Sequence, residues 1–301
     1  MSVLLVIMIL ISSLLHVIWN MLGKKGTPSA AFFLGTSATA VLVFLPVYTV
    51  LFPFSEVPGK LWLYMIASGF FQTVYYIGLG TGYRSGELSY VYPLARALPV
   101  LLIPLVSIML RIGVIYSVVN GMGMVLVFSG CVLLPFEKGN MKRALSMYLS
   151  GGFLFAVLAA AGTTGYTLVD STGVRQLAEF LPYSTTSALV SVFYLSYEML
   201  FAFIFLLMYV GLVKKEKGYF LDIIRSNKFR AFVSGIILLL AYGIILVAYT
   251  MFESVSYIAA FRQMSIPLGV ISGIVLLKER QNYGKIVGSL IIFTGLVLVY
   301  V

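Results

Sequence analysis

Two arginines, Arg96 and Arg262, fall inside long apolar runs. A charge at membrane depth costs at least about 2.5–3.5 kcal/mol on insertion scales, so such a residue faces a cavity or a partner. Each lies about eight residues into its run, roughly 12 Å deep at 1.5 Å per residue. That depth is near the midplane of a hydrocarbon core about 30 Å thick. A guanidinium fork there can hold a carboxylate or phosphate on a substrate. It can equally pair with an acid or a helix end and fix the packing.

Other polar residues sit at similar depth. Glu198 shares a helix face with Ser191, Tyr194 and Leu195 by i, i+3, i+4 and i+7 spacing. It reads either as a carboxylate that exchanges a proton to couple transport or as the counter-ion of one of the arginines. His16 and Asn20 stand one turn apart on a common face. The histidine can bind a ligand or a proton, or bond a neighbouring hydroxyl or carbonyl. Tyr76, Tyr90, Tyr166, Tyr194, Tyr242 and Tyr257 can line an amphipathic cavity with apolar rings and hydroxyl tips, or simply pack. Glu87 and Glu253 stand at expected helix N-termini, where a carboxylate suits the dipole. Asp170, five residues before Arg175, reads as part of a surface pair.

Several chemistries lack their parts. Cys131 is the single cysteine and His16 the single histidine, so a disulfide framework, a zinc cluster and histidine-based catalysis are not expected. There is no Ser/His/Asp set, no paired carboxylates with a base and no P-loop, which argues against an enzyme and against a cofactor. Nothing resembles a channel selectivity filter.

The elements that must position these residues follow from composition. The 301 residues are 61% hydrophobic and 10% charged, with mean hydropathy +1.05. Soluble domains run about 45–50% apolar and about 25% charged, so lipid is the expected solvent. Runs of roughly 20 apolar residues predict ten membrane spans: residues 3–22, 28–52, 61–83, 88–110, 114–135, 148–168, 187–213, 231–252, 254–277 and 284–301. The stretch 214–230, with an FLDII core flanked by Lys and Arg, is expected to lie along the membrane surface. The first span lacks a basic leader and carries His16, Trp19 and Asn20, so it reads as a retained helix. Loops after the odd-numbered spans hold 15 of the 20 basic residues. The positive-inside rule puts those loops in the cytoplasm and both termini outside. The net charge of +10 is thereby explained without nucleic acid.

The chain also repeats itself. At an offset of 166, Tyr76, Tyr83, Glu87 and Arg96 fall on Tyr242, Tyr249, Glu253 and Arg262. At 150, His16, Asn20 and Lys25 meet Tyr166, Asp170 and Arg175; at 165, Gly123, Ser129 and Gly130 meet Gly288, Thr294 and Gly295. Spans 1–5 (residues 1–140) therefore correspond to spans 6–10 (residues 141–301). Five is odd, so the second copy enters the membrane from the opposite side. Inverted halves are an alternating-access architecture with the site near the midplane between them. Pro99 and Pro104 in the fourth span and Pro267 in the ninth can bend the two arginine-bearing helices. Small-residue faces, GTSATA and AAAGTTG, permit close packing or sliding.

Four segments carry a family likeness. HVIWNMLGKK, GELSYVYPLARALP, AAAGTTGYTLVDSTGVR and SYIAAFRQMSIPLGVISGIVLLKER resemble the first, fourth, sixth and ninth helices of EamA-type transporters of the drug/metabolite transporter superfamily. The likeness covers nearly the whole chain. It implies a multi-pass carrier of a small metabolite in the cell (inner or plasma) membrane, and it leaves the substrate open. Members carry a Gly-Glu pair after the fourth helix; here that place reads MLRIG with Arg111, whereas the second repeat keeps Glu279. The likeness also implies cytoplasmic termini, against the charge count.

The expectation is an all-α integral membrane protein, ten helices in two inverted five-helix repeats, that transports a small amphipathic metabolite. The substrate is amino-acid-like or an organic anion, and export is the expected direction. Arg96, Arg262, Tyr76, Tyr242, Tyr90, Tyr166, Asn20 and His16 are the candidate binding residues, and Glu198 is the coupling residue. Protons and membrane lipids are the other expected partners, and a monomer suffices because both halves share one chain. A lipid flippase, with a lateral opening and headgroups drawn to the basic rim, and an importer are the alternatives.

Overall fold

The helix Val3–Lys24 (α1) turns its polar residues inward and a stripe of aliphatic residues outward. Ser12, Ser13, His16 and Asn20 are buried, whereas Leu4, Ile7, Ile11, Leu14 and Ile18 are exposed. Both stripes follow the i, i+3, i+4 period. The polarity is the reverse of a soluble helix, and it recurs along the chain: Arg96, Asp170 and Glu198 are buried while Phe128, Leu154, Met208 and Leu212 face out. Four stretches of the described residues are long and apolar enough to cross a membrane, namely 3–24, 151–180, 188–212 and 214–248; five more apolar helices are shorter. The chain has the character of a helical membrane protein.

The computed structural model describes residues 3–46, 57–109, 117–136, 141–181, 186–251 and 262–300, and every regular element among them is helical. After α1 come α2 (Ala30–Val43), α3 (Gly59–Ser85), α4 (Leu88–Met109), α5 (Val118–Leu133) and α6 (Met141–Tyr148). They are followed by α7 (Gly151–Phe180), α8 (Ser187–Leu212) and α9 (Lys214–Asp222). A π-helical turn, Ile223–Asn227, joins α9 to α10 (Lys228–Met251); α11 (Ser265–Leu276) and α12 (Tyr283–Tyr300) complete the order. Side-chain oxygens cap several starts: Ser29 accepts Phe32 N–H, Thr186 accepts Leu189 N–H, and Ser117 and Asn120 form a capping box.

Two boundaries differ from expectation. The sixth span does not stop at Leu168; α7 runs on to Phe180, because VDSTGVRQLAEF keeps an inward stripe of Asp170, Gly173, Val174 and Leu177. Asp170 and Arg175 therefore lie within one helix. Asp170 is buried and Arg175 exposed, so the expected surface pair does not form. The described part of the ninth span is only α11 and the turn before it. Pro267 has no N–H for the carbonyl of Gln263, which accepts Ile266 N–H in a tighter turn instead. Arg262 immediately precedes that turn, which separates it from α11, and residues 252–261 before it lie outside the described ones. Glu253 and Tyr257 lie outside the described residues, as does Arg111.

Packing centres on α3 against α7, α12 against α5, and α1 against α10. Glycines permit the closest of these. A Cβ on Gly162 would stand 2.5 Å from Tyr75 N, and one on Gly78 would stand 2.5 Å from Ala159 N. The charged loops meet at one end of the bundle. Lys24 Nζ donates to the carbonyls of Tyr83 (2.5 Å) and Gly86 (2.7 Å) at the end of α3. Arg84 pairs with Glu216 of α9 at 3.2 Å, and Lys285 of α12 pairs with Glu87. Glu87 is therefore an ion-pair partner rather than the expected cap; Glu279 caps α4, accepting Leu88 N–H at 2.6 Å and Ser89 N–H at 2.9 Å.

Candidate functional site

At the core of the bundle, α1, α3, α7 and α10 bring a row of aromatic rings together. Tyr242 stands 6.1 Å from Tyr166, Tyr166 5.8 Å from Tyr75, Tyr75 6.4 Å from Trp19, and Trp19 5.1 Å from His16, all near edge-to-face. Tyr92 of α4 continues the row, 6.0 Å from His16. The rings of His16, Trp19, Tyr75, Tyr166 and Tyr242 wall a cavity with room for about one water, ≈ 20 Å³, completed by Gln72, Leu238 and Arg262.

The cavity is unusual in its unpaired polar atoms. Among the described residues His16 Nε2, Gln72 Oε1 and Tyr75 Oη are buried without a hydrogen-bond partner, as are Tyr92 Oη and Arg96 Nε beside them. Each such atom costs about 1–3 kcal/mol, and folded proteins leave few of them. The tautomer of His16 follows from its neighbour. Trp19 Nε1 donates to His16 Nδ1 at 3.2 Å; an indole N–H can only donate, so the neutral ring carries its proton on Nε2. His16 and Tyr75 thus offer donors and Gln72 an acceptor to one small space, with the Arg262 guanidinium in its lining.

Both guanidinium charges act on His16, Tyr92 and Tyr166, so Arg96 and Arg262 flank the same cage. Arg262 also lies over the Tyr242 ring, 5.9 Å from its centroid, within cation–π reach. The Tyr242 hydroxyl donates to Asp170, which accepts a second bond from Tyr194 at 3.0 Å. Behind Asp170 lies Glu198 of α8, fully buried, neither oxygen finding a hydrogen-bond donor among the described residues. The charge beside Glu198 is that of Asp170, and Ser68 of α3 stands by both carboxyl groups. The expected arginine counter-ion of Glu198 is thus replaced by a second acid.

Of the sequence candidates, His16, Tyr166, Tyr242 and Arg262 line the cavity and Arg96 flanks it. Three do not. Asn20 is spent on structure: its Nδ2 donates to the His16 carbonyl at 2.7 Å and its Oδ1 accepts the Tyr83 hydroxyl at 2.6 Å. Tyr76 stacks on Phe33 at 5.0 Å, with its hydroxyl 4.0 Å from Met199 sulfur; it backs the cavity wall. Tyr90 points to a larger pocket of ≈ 260 Å³ at the charged end, among Glu87, Ser150, Arg280 and Lys285. There Lys285 is already held by Glu87 and the Arg280 carbonyl. Sequence reasoning missed Trp19, Gln72, Tyr75 and the inward Asp170. Gln72 was the available signal, an uncharged polar residue deep in an apolar run and three positions before Tyr75.

No family model and no curated protein matches the chain. Solved structures do resemble it. One of 24 matching chains, described as "Crystal structure of protein", superposes with a TM-score of 0.55 at 16% identity, over 99% of this chain and 96% of that one. At that identity the likeness is one of fold.

Proposed function

We propose that the chain is a multi-pass membrane transporter, similar to the EamA type, that carries a small amphipathic metabolite with an anionic group through the central cavity by alternating access. The observation that carries this reading is the convergence of unpaired buried donors, His16 Nε2 and Tyr75 Oη, with the Arg262 guanidinium around one aromatic-walled space. Donors of that kind suit a carboxylate, the rings suit an apolar body, and Gln72 Oε1 suits an ammonium or hydroxyl on the same molecule. An amino acid or a related organic acid has all three. The cavity admits about one water, so a metabolite enters only when helices part, as in alternating access.

Two inverted repeats, 1–140 and 141–301, in ten spans account for the packing. Contacts come in pairs that interchange when one repeat is exchanged for the other: α1 with α10 and α3 with α7, α2 with α10 and α3 with α8, α4 with α7 and α1 with α11. Glycine contacts at the α5–α12 seam behave likewise. Gly130 abuts the Gly288 backbone and Gly295 abuts Gly123; the 165-residue offset turns each contact into the other. The basic loops gathered at one end make that end the cytoplasmic one by the positive-inside rule.

Binding is testable through Trp19, since the chain has two tryptophans. On a Trp62→Phe background, Trp19 fluorescence is titrated with benzoate, phenylalanine and phenylpyruvate, and counterflow of whichever binds is followed in proteoliposomes. Arg262→Gln should weaken binding at least about tenfold, the loss of one charge-assisted hydrogen bond. Equal affinity in the variant, or no anion binding at all, overturns the reading.

A further inference from the structure

Asp170 and Glu198 are both buried, yet they are served unequally. Asp170 accepts hydroxyl bonds from Tyr194 and Tyr242 and feels the Arg262 charge. Glu198 has no donor in good hydrogen-bond geometry on either oxygen among the described residues; the one hydroxyl beside it, Ser68, is shared with Asp170, and the neighbouring charge is negative. The other groups facing Glu198 are uncharged: Ser68 and Tyr76 from α3, Tyr194 from α8 itself and Tyr242 from α10. Helix α2, which also packs on α8, carries no titratable residue. The charged residues of α9 lie beyond the end of α8, where Glu216 is taken by Arg84. Two buried carboxylates side by side with one set of donors cannot both stay ionised cheaply.

We propose that Glu198 is a proton-binding site, with Asp170 as its ionised partner, and that Tyr242 links this pair to Arg262 so that proton and anionic ligand bind cooperatively. The charge balance is simple. Proton uptake turns the Glu198 carboxylate into a carboxylic acid, and the pair falls from two negative charges to one. The potential at Arg262, across the Tyr242 ring, becomes more positive, and an anion there binds more tightly. By linkage the anion tightens the proton in return. Proton and anion then travel together, so an inward proton gradient drives the anion inward, opposite to the export expected from sequence. The ligand half of this inference rests on the reading of the central cavity; the proton half does not.

The two halves are tested separately. Infrared difference spectra of the purified protein in nanodiscs, between mildly acidic and mildly alkaline pH, read protonated carboxyl groups without any ligand. A carboxylic-acid band present in the wild type should vanish in Glu198→Gln and persist in Asp170→Asn. A band unchanged in Glu198→Gln, or no band in the wild type, overturns the proton site. On the Trp62→Phe background, benzoate should bind at least about fivefold more tightly at acidic than at alkaline pH, the lower end of ordinary coupling. Glu198→Gln, a mimic of the protonated state, should bind tightly at both. Equal wild-type affinity at the two pH values overturns the cooperativity. If benzoate does not bind at either pH, the cavity reading fails with the cooperativity, and the infrared band still decides the proton site.

Discussion

Glu279 accepts the Leu88 N–H at 2.6 Å, so the residue that ends one arginine-linked helix caps the start of the other. The geometry is set by Lys278, whose φ of 57° turns the chain at the end of α11. Leu277 N–H closes on the Ser272 carbonyl at 3.2 Å and Glu279 N–H on the Gly273 carbonyl at 3.1 Å, so the last turn of α11 is widened as the chain reverses. The carboxylate then meets two free N–H groups at the positive end of the α4 dipole. Glu279→Ala should lower stability by about 0.5–2 kcal/mol, the value of a helix cap. Lys278→Gly should be neutral or stabilising, because glycine enters the left-handed region without the steric cost. Thermal unfolding in detergent reads both; an unchanged melting temperature in Glu279→Ala would show the cap to be incidental.

The α3–α7 seam should tolerate no added methyl. At Gly162 a Cβ would press on backbone, 2.5 Å from Tyr75 N and 2.8 Å from Phe71 O, and α3 itself would have to move. Gly162→Ala should cost about 1–3 kcal/mol, as overpacking does. The same shift would displace Tyr75 and Gln72 in the cavity wall. Gly218 in α9 has nothing within 4 Å of its added Cβ, so Gly218→Ala should gain up to about 1 kcal/mol of helix propensity. Melting curves of the two variants should move in opposite directions.

The contrast between what the sequence told and what it hid follows from range. The arginines, His16, Tyr166 and Tyr242 stood out because polarity in an apolar run is a local signal; Tyr76 stood out equally and lies behind the wall. Whether Tyr75 or Tyr76 faces the cavity is not local. The two are adjacent, and only the approach of α7 through Gly162 selects Tyr75. Asp170 was misread because charge near a run's end looks like a boundary, whereas α7 continues and turns it inward toward Tyr194 and Tyr242. Glu87 looked like a cap by position; its pairing with Lys285, 198 residues away, depends on tertiary structure.

The Lys285–Glu87 pair should respond unequally to the loss of either member. Lys285 is 1% exposed and Glu87 39%. Lys285→Met leaves a carboxylate that water can reach and puts an apolar stem of similar length in the buried place. Glu87→Gln leaves a buried ammonium with only neutral acceptors such as the Arg280 carbonyl. Stranding a buried charge is the costly case. Glu87→Gln should therefore lower the melting temperature more than Lys285→Met, and the reverse order would show that the pair is solvated.

Asn20 and His16, one turn apart on α1, should separate structure from binding. Asn20 has both ends of its amide in use, toward the His16 carbonyl and the Tyr83 hydroxyl. Asn20→Ala strands the buried Tyr83 hydroxyl and should cost about 1–3 kcal/mol, with little change in the affinity of an anion that binds. His16 keeps Nε2 unpaired at the cavity. His16→Phe retains the ring and its volume but removes that donor, so it should weaken the anion by about tenfold, the value of one hydrogen bond to a charged group. It also strands the buried Trp19 N–H, a loss of about 1–3 kcal/mol in stability like that in Asn20→Ala, so affinity rather than stability separates the two variants. Trp19 fluorescence titration and thermal unfolding on the same two proteins decide the matter. If Asn20→Ala abolishes binding at full stability, the ligand reaches past His16 toward α3 and the cavity extends further along α1.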